Sequence, residues 1–263
     1  MKQLEYSHWL ISFTAHISDA IEKLKPLTDR VRLISTSCQL PQFFDIDRAA
    51  DRSLLRLFFD ECGVRGNWLH AIFGEGMNLV TIEDDASFER HRTVIEFAGE
   101  AEFEAVVLHG GSAPDEPTFL KRAKATLLRL LPWAEEADVV LALECPTGPP
   151  AMLDSLLEWK ETLANPHLAM CLDTGHANCW QPSFVDCARQ VLPHCCCLHL
   201  HDNDGVGDLH QPPGEGTIPW DTFVDVLIET GYEGVIGSEC DTPDGWSYED
   251  LYERFRSVFG RVL

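Results

Sequence analysis

Two stretches decide the fold: Leu168-Ala169-Met170-Cys171-Leu172-Asp173-Thr174-Gly175-His176, and Cys195-Cys196-Cys197-Leu198-His199-Leu200-His201-Asp202-Asn203. Each is a short apolar run that stops abruptly at titratable side chains. Such a run, bounded by turn formers, suits a strand buried on both faces, the usual state in a parallel sheet. Val139–Glu144 and Gly234–Glu239 share the design. Glu144, Asp173, His199 and Glu239 therefore end four successive strand candidates.

Working outward, Glu5–Ile11, Val31–Ser35, Gly66–Ala71 and Ala105–His109 are the other strand candidates. Between them lie amphipathic, helix-like segments: Ile17–Leu27, Asp47–Glu61, Ser87–Ala101, Thr118–Glu136, Met152–Leu163, Phe184–Leu192 and Trp220–Thr230, with Tyr248–Phe259 closing the chain. Eight strands alternating with eight helices define the α/β class and predict a single (β/α)8 TIM barrel over residues 1–263, with a doubly wound open sheet as the alternative. No Ser/Gly linker, low-complexity tract or internal repeat divides the chain. Residues two apart on a strand face the same way. Val107, Ala142, Cys171, Cys197 and Gly237 are thus expected to point into a narrow lumen. Leu108, Leu143, Leu172, Leu198 and Ser238 are expected to face the helices.

Charge narrows the partners. The chain has 20 basic and 43 acidic residues, a net charge of −23. That disfavours nucleic acid, whose binding rests on Lys and Arg. From Leu130 to Glu253 the basic side chains are Lys160 and Arg189 alone. No apolar run reaches membrane-spanning length, and the start, MKQLEYSHWL, lacks a signal-peptide h-region; a cytoplasmic location is expected. None of the 10 cysteines forms a CxxC pair. Neighbouring strand cysteines point to opposite faces, so Cys195, Cys196 and Cys197 suit reduced core thiols better than a zinc site or a disulfide ladder.

In a parallel barrel the strand C-termini open on one face, and sites are built there. This chain gathers its polar groups at those ends: His70 after strand 3, His109 after strand 4, Glu144, Asp173 with His176, His199 with His201, and Glu239; a following loop adds Asp208 and His210. Singly each has a plain explanation; Asp173, for instance, suits a helix N-cap. Together, uncompensated carboxylates crowded at one mouth would repel by several kcal/mol, roughly, at low effective dielectric, and a divalent cation removes that cost. One imidazole with three carboxylates is a hard, oxygen-rich set that favours manganese, with magnesium, cobalt or zinc also accommodated.

These motifs resemble the xylose isomerase-like barrel superfamily, which contains sugar isomerases and epimerases, inosose-processing enzymes, some dehydratases and the endonuclease IV type of nuclease. The resemblance runs from about His70 to Glu239. It implies metal ligation by Glu144, Asp173, His199 and Glu239, and contact of His176 with a substrate oxygen. The nuclease branch implies a larger, multinuclear set, matched here by His70, His109, Glu144, Asp173, His176, His199, Asp208, His210 and Glu239. Sugar epimerases of the group often carry a Glu after strand 2, where this chain reads Ile34-Ser35-Thr36-Ser37.

The function expected is therefore a metal-dependent isomerase or epimerase of a small polyhydroxy carbonyl compound. It would work through proton abstraction and a metal-stabilised enediolate, with Glu144 and Glu239 exchanging the proton. Trp9, Trp68 and Trp180 are candidate substrate walls. The loops after strands 7 and 8, a frequent phosphate site in barrels, hold no Lys or Arg, so an unphosphorylated sugar, cyclitol or keto acid is expected. Arg48, Arg52 and Arg65 are the alternative anchors for a phosphate. A lyase or dehydratase of the inosose or dehydroshikimate type, and an endonuclease IV-like phosphodiesterase, are the competing functions. The sequence leaves assembly into a homo-oligomer open.

Overall fold

Eight parallel strands alternate with helices in a computed structural model that describes residues 3–10, 22–37, 49–74, 76–111, 116–148 and 150–263. The strands are β1 (Tyr6–Leu10), β2 (Leu33–Ser37), β3 (Arg65–His70), β4 (Ala105–Leu108), β5 (Val140–Glu144), β6 (Leu168–Asp173), β7 (Cys195–His199) and β8 (Ile236–Gly237). The α-helices are α1 (Ala49–Cys62), α2 (Asp85–Glu100), α3 (Glu116–Ala137), α4 (Pro150–Leu163), α5 (Thr174–Trp180), α6 (Phe184–Val191), α7 (Trp220–Thr230) and α8 (Tyr248–Phe259). Neighbours run β7-β6-β5-β4-β3-β2-β1-β8, all parallel. The ring shuts just beyond β7, where Leu200 bridges Ser238. There Leu200 N donates to Gly237 O (2.9 Å) and Glu239 N donates to Leu200 O (3.0 Å). This is a (β/α)8 TIM barrel.

Side-chain alternation sorts the strands as expected. Val107, Ala142, Cys171 and Cys197 cluster in the lumen, together with Ala105 and Trp68. Leu108, Leu143, Leu172 and Leu198 join the larger outer core under the helices. The bulky exception is Trp68, fully buried in the lumen. Gly237 makes room for it: a Cβ there would overlap the Leu198 carbonyl oxygen and lie 3.1 Å from Trp68 Nε1. Gly237→Ala is therefore expected to cost roughly 1–3 kcal/mol, the usual range for overpacking, read as a lower urea midpoint at unchanged m-value.

Strand ends moved where local contacts outweigh the apolar pattern. β2 starts two residues later than predicted, because Val31 N is held by Leu27 O (2.9 Å) in the preceding turn. β8 shrinks to two residues; Tyr232, whose hydroxyl donates to Val235 O (3.1 Å), turns the chain just before it. The segments predicted around residues 11–21 and 38–48 lie outside the described residues. A register shift between β6 and β7 takes Met170↔Cys195 to Cys171↔Cys197. Cys196 is the extra residue, and it brings Asp173 directly opposite His199.

Helix starts are capped by the residue types that favour them. Asp84 accepts from Ser87 N (2.8 Å) at the head of α2, and Ser247 forms a reciprocal capping box with Asp250 at α8. Under α8, His8 is buried on the outer side of β1, its ring centroid 4.3 Å from that of Tyr248. Burial pushes its pKa down to about 3. A folded pKa below the unfolded value of ~6.5 means stability that is complete above that pH and lost as pH falls toward 3. At pH 5 the loss is about 2 kcal/mol. Urea titrations of His8→Phe should show a smaller stability difference between pH 7 and pH 5 than the parent by that amount.

Candidate metal centre

The four strand-end residues converge. Glu144 ends β5, Asp173 ends β6, His199 ends β7 and Glu239 follows β8; all four are buried. His199 Nδ1 lies 2.6 Å from Glu144 Oε1, 2.9 Å from Glu239 Oε2 and 3.8 Å from Asp173 Oδ2. One ring nitrogen carries one proton, so it satisfies one of these carboxylates. Asp173 Oδ2 and Glu239 Oε2 are buried without a hydrogen-bond partner. Unpaired buried carboxylate oxygens are costly, and converging ones fit a divalent cation. The four-residue set His70, Glu144, His199 and Glu239 has ligand atoms within 4.8 Å of one another. Asp173 forms a second such group with Glu144 and His176, so the two groups share Glu144.

Electrostatics follow from burial and neighbours. Burial raises the Glu144 carboxyl, but His109 and His199 outweigh it and hold it well below the usual range. Burial lowers His199, but Glu239 and Glu144 raise it well above an ordinary imidazole. Asp173 is opposed by burial yet held at about 2 by His176 and His201. Burial, reinforced by His109, takes His70 to about 3.

The surrounding histidines share an orientation. Nδ1–H of His70 donates to Ala71 O (2.7 Å), that of His176 to Cys145 O (3.0 Å) and that of His210 to Glu239 O (2.8 Å). Each therefore aims Nε2 into the mouth, the arrangement that fixes ligating imidazoles. His70 Nε2 is 3.9 Å from Glu144 Oε2, which also pairs with His109 Nε2. Asp208 Oδ2 is 3.4 Å from Nε2 of both His176 and His210. His201 takes a supporting role: its Nε2 meets Asp173 Oδ1 (3.1 Å) and its ring stacks on His210 at 4.1 Å. That stack explains Gly175, because a Cβ there would overlap the His201 ring.

Asp173 is also the N-cap of α5, accepting from His176 N (2.7 Å). Capping and site membership coexist because Oδ1 takes the cap and His201 while Oδ2 stays open. Of the three tryptophans, Trp9 stacks on His210 (5.5 Å) and Trp180 meets His176 edge-on (5.4 Å). Trp68 lies beneath the cluster, 4.3 Å from the His199 ring, as a buried floor with no exposed face to offer as a wall. Arg65 sits at the opposite end of the barrel, paired with Glu5 and Glu104; Arg48 lies outside the described residues.

Two residues passed unassigned in the sequence. Phe73 stacks on His109 at 4.4 Å and 8°, and only an aromatic just past a strand end hinted at it. Asp202 is buried and accepts from Asn203 N (2.9 Å), Gly214 N (2.8 Å), Ile218 N (3.1 Å) and Trp220 Nε1 (2.7 Å). It staples the loop that carries Asp208 and His210; the signal was a charged residue buried within His201-Asp202-Asn203 ahead of Gly214-Glu215-Gly216. A cavity of about 200 Å3 opens beside Glu144, lined by Asn78, His109, Thr147 and His176 among others.

Comparison with known proteins agrees with this architecture. The family model for the xylose isomerase-like TIM barrel matches residues 29–257. An uncharacterized protein of Methanocaldococcus jannaschii is 32% identical over 159 residues, 56% of this chain and 54% of that protein. A D-psicose 3-epimerase of Enterocloster bolteae is 26% identical over 117 residues, 43% of this chain and 37% of that protein. The chain thus spans about half or less of the length of these curated relatives. The crystal structure of the IOLI protein with a binding zinc atom superposes with a TM-score of 0.75 at 17% identity, over 97% of this chain and 99% of that one; at that identity the shared property is the fold.

Proposed function

We propose that this chain, which belongs to the xylose isomerase-like TIM barrel family, is a metal-dependent isomerase or epimerase of a small polyhydroxy carbonyl compound. One observation carries the proposal: buried carboxylate oxygens of Asp173 and Glu239, without partners, face the same imidazole nitrogen as Glu144. The donor set fits a divalent cation held by Glu144, Asp173, His199 and Glu239, and its oxygen content favours manganese. When bound, such an ion supplies positive charge against adjacent carbonyl and hydroxyl oxygens of the substrate.

The protein's own groups do the rest. Glu144 and Glu239 reach the mouth from β5 and from beyond β8, so they flank a substrate from two sides. One takes the α-proton and the other returns it. His176, held by Cys145 O, orients a substrate hydroxyl through Nε2. Trp9 and Trp180 border the opening. The similarity to a sugar 3-epimerase supports this chemistry. The loops after β7 and β8 hold no Lys or Arg, which supports an unphosphorylated substrate, and the net charge of −23 argues against nucleic acid. Among the described residues no helix is long and apolar enough to cross a membrane.

The test is wash-in of solvent deuterium without loss of water, screened over ketoses, inososes and keto acids with manganese present. Loss of water would assign a lyase instead. No exchange with any of them would sink the proposal. A second reading, a multinuclear site, is favoured by the shared aim of His70, His176 and His210 and by Asp208 between two of them. Metal-to-protein stoichiometry above one would support it.

A further inference from the structure

We infer that the mouth carries a second binding site, beside the metal centre, for a neutral sugar ring attached to the reacting ketose. This rests on the isomerase or epimerase reading and narrows its substrate class to glycosylated ketoses.

A cavity of about 640 Å3 opens between the end of β1 and the loop after β8, lined chiefly by Trp9, Lys23, Asp241, Asp244, Trp246 and Tyr248. It adjoins the site through shared parts. Trp9 lines the cavity while its ring stacks on His210, and Asp241 N donates to His210 O (2.9 Å). Cys240, another lining residue, directly follows Glu239. Three times the volume found beside Glu144 is more than a lone small ketose fills; it falls in the range of cavities that hold drug-sized ligands.

The lining chemistry selects the occupant. Trp9, Trp246 and Tyr248 offer flat apolar faces with polar edges, suited to the C–H faces of a sugar ring. The carboxylates of Asp241 and Asp244 accept from hydroxyls, and the Lys23 ammonium donates to one. The lining side chains set two carboxylates against one ammonium, and the Arg254 guanidinium over Trp246 is paired with Glu215, a balance that disfavours a phosphate or carboxylate in this position.

Calorimetric titration of the manganese-loaded protein with D-fructose and with isomaltulose, its 6-O-glucosyl derivative, tests the assignment. Isomaltulose should bind roughly ten-fold more tightly, the size expected for one ring on an aromatic platform. Trp246→Ala, and separately the surface change Asp244→Ala, should shrink that ratio toward one while leaving fructose affinity unchanged. Equal affinities, no binding of either sugar, or variants that weaken both alike would overturn the second site. Deuterium wash-in on the same samples separates the two proposals. Preferential binding without exchange keeps the site and removes these two sugars from the reactants, leaving the reaction to the wider screen; exchange with equal affinities keeps the reaction and sinks the site.

Discussion

Glu239→Gln is expected to lower turnover by roughly 10²–10⁴-fold, the range lost with a positioned general acid or base. Its Oε2 lies 2.9 Å from His199 Nδ1 but is left without a hydrogen bond, because that nitrogen is bonded to Glu144 Oε1. An amide of the same shape removes the negative charge and cannot accept a substrate proton. Because Glu239 is proposed both as ligand and as proton carrier, activity alone does not separate the roles. Manganese content of the purified variant does. A variant that keeps its manganese but loses exchange assigns the proton transfer to Glu239, and one that loses both makes it chiefly a ligand. Full exchange in the variant would refute both roles. Lys160→Ala, on the outer helix α4, is the control and should leave turnover unchanged.

The second large effect concerns the cation itself. At a hundred-fold excess over Kd, a native-state ligand stabilises by about 2.7 kcal/mol, which for a chain of this size raises Tm by ~5–10 °C. Manganese should do this for the parent protein. Asp173→Ala should abolish the response and also lower the metal-free Tm, since it strips the cap of α5 and the partner of His201, a capping loss of about 1 kcal/mol. Asp173→Asn separates the two effects: it retains an acceptor for His176 N but presents no charge at Oδ2. Its metal-free Tm should stay near that of the parent while the manganese response falls. A full manganese response in both variants would remove Asp173 from the ligand set. The sign of the pH effect is also fixed. With a folded pKa of about 2 against ~3.8 unfolded, the Asp173 carboxylate contributes stability above pH ~4 that is lost as pH falls toward 2.

Strand identity was legible in the sequence wherever an apolar run ended in titratable residues. Leu168–Asp173 and Cys195–His199 match their predicted bounds. Inward and outward faces were legible because side-chain alternation has a period of two. What escaped depended on contacts between distant segments. The shortening of β8 comes from a tyrosine turning back on its own loop, and the floor position of Trp68 comes from the space that Gly237 leaves across the lumen. The site was legible as a set of residues, not as a geometry. Pattern alone did not show that Asp173 divides its oxygens, Oδ1 serving a helix cap and His201 while Oδ2 stays open toward the site, or that His70 joins Glu144, His199 and Glu239. Asp202 escaped because pattern alone cannot tell a solvated loop carboxylate from one that holds four N–H groups.

The seam between Leu200 and Ser238 gives the circular sheet a weak hem, stitched by two backbone bonds where other neighbours share longer ladders. His199 stands on one side of that hem and Glu239 on the other. A cation drawn to both would act as a clasp, adding its hold to those two backbone bonds.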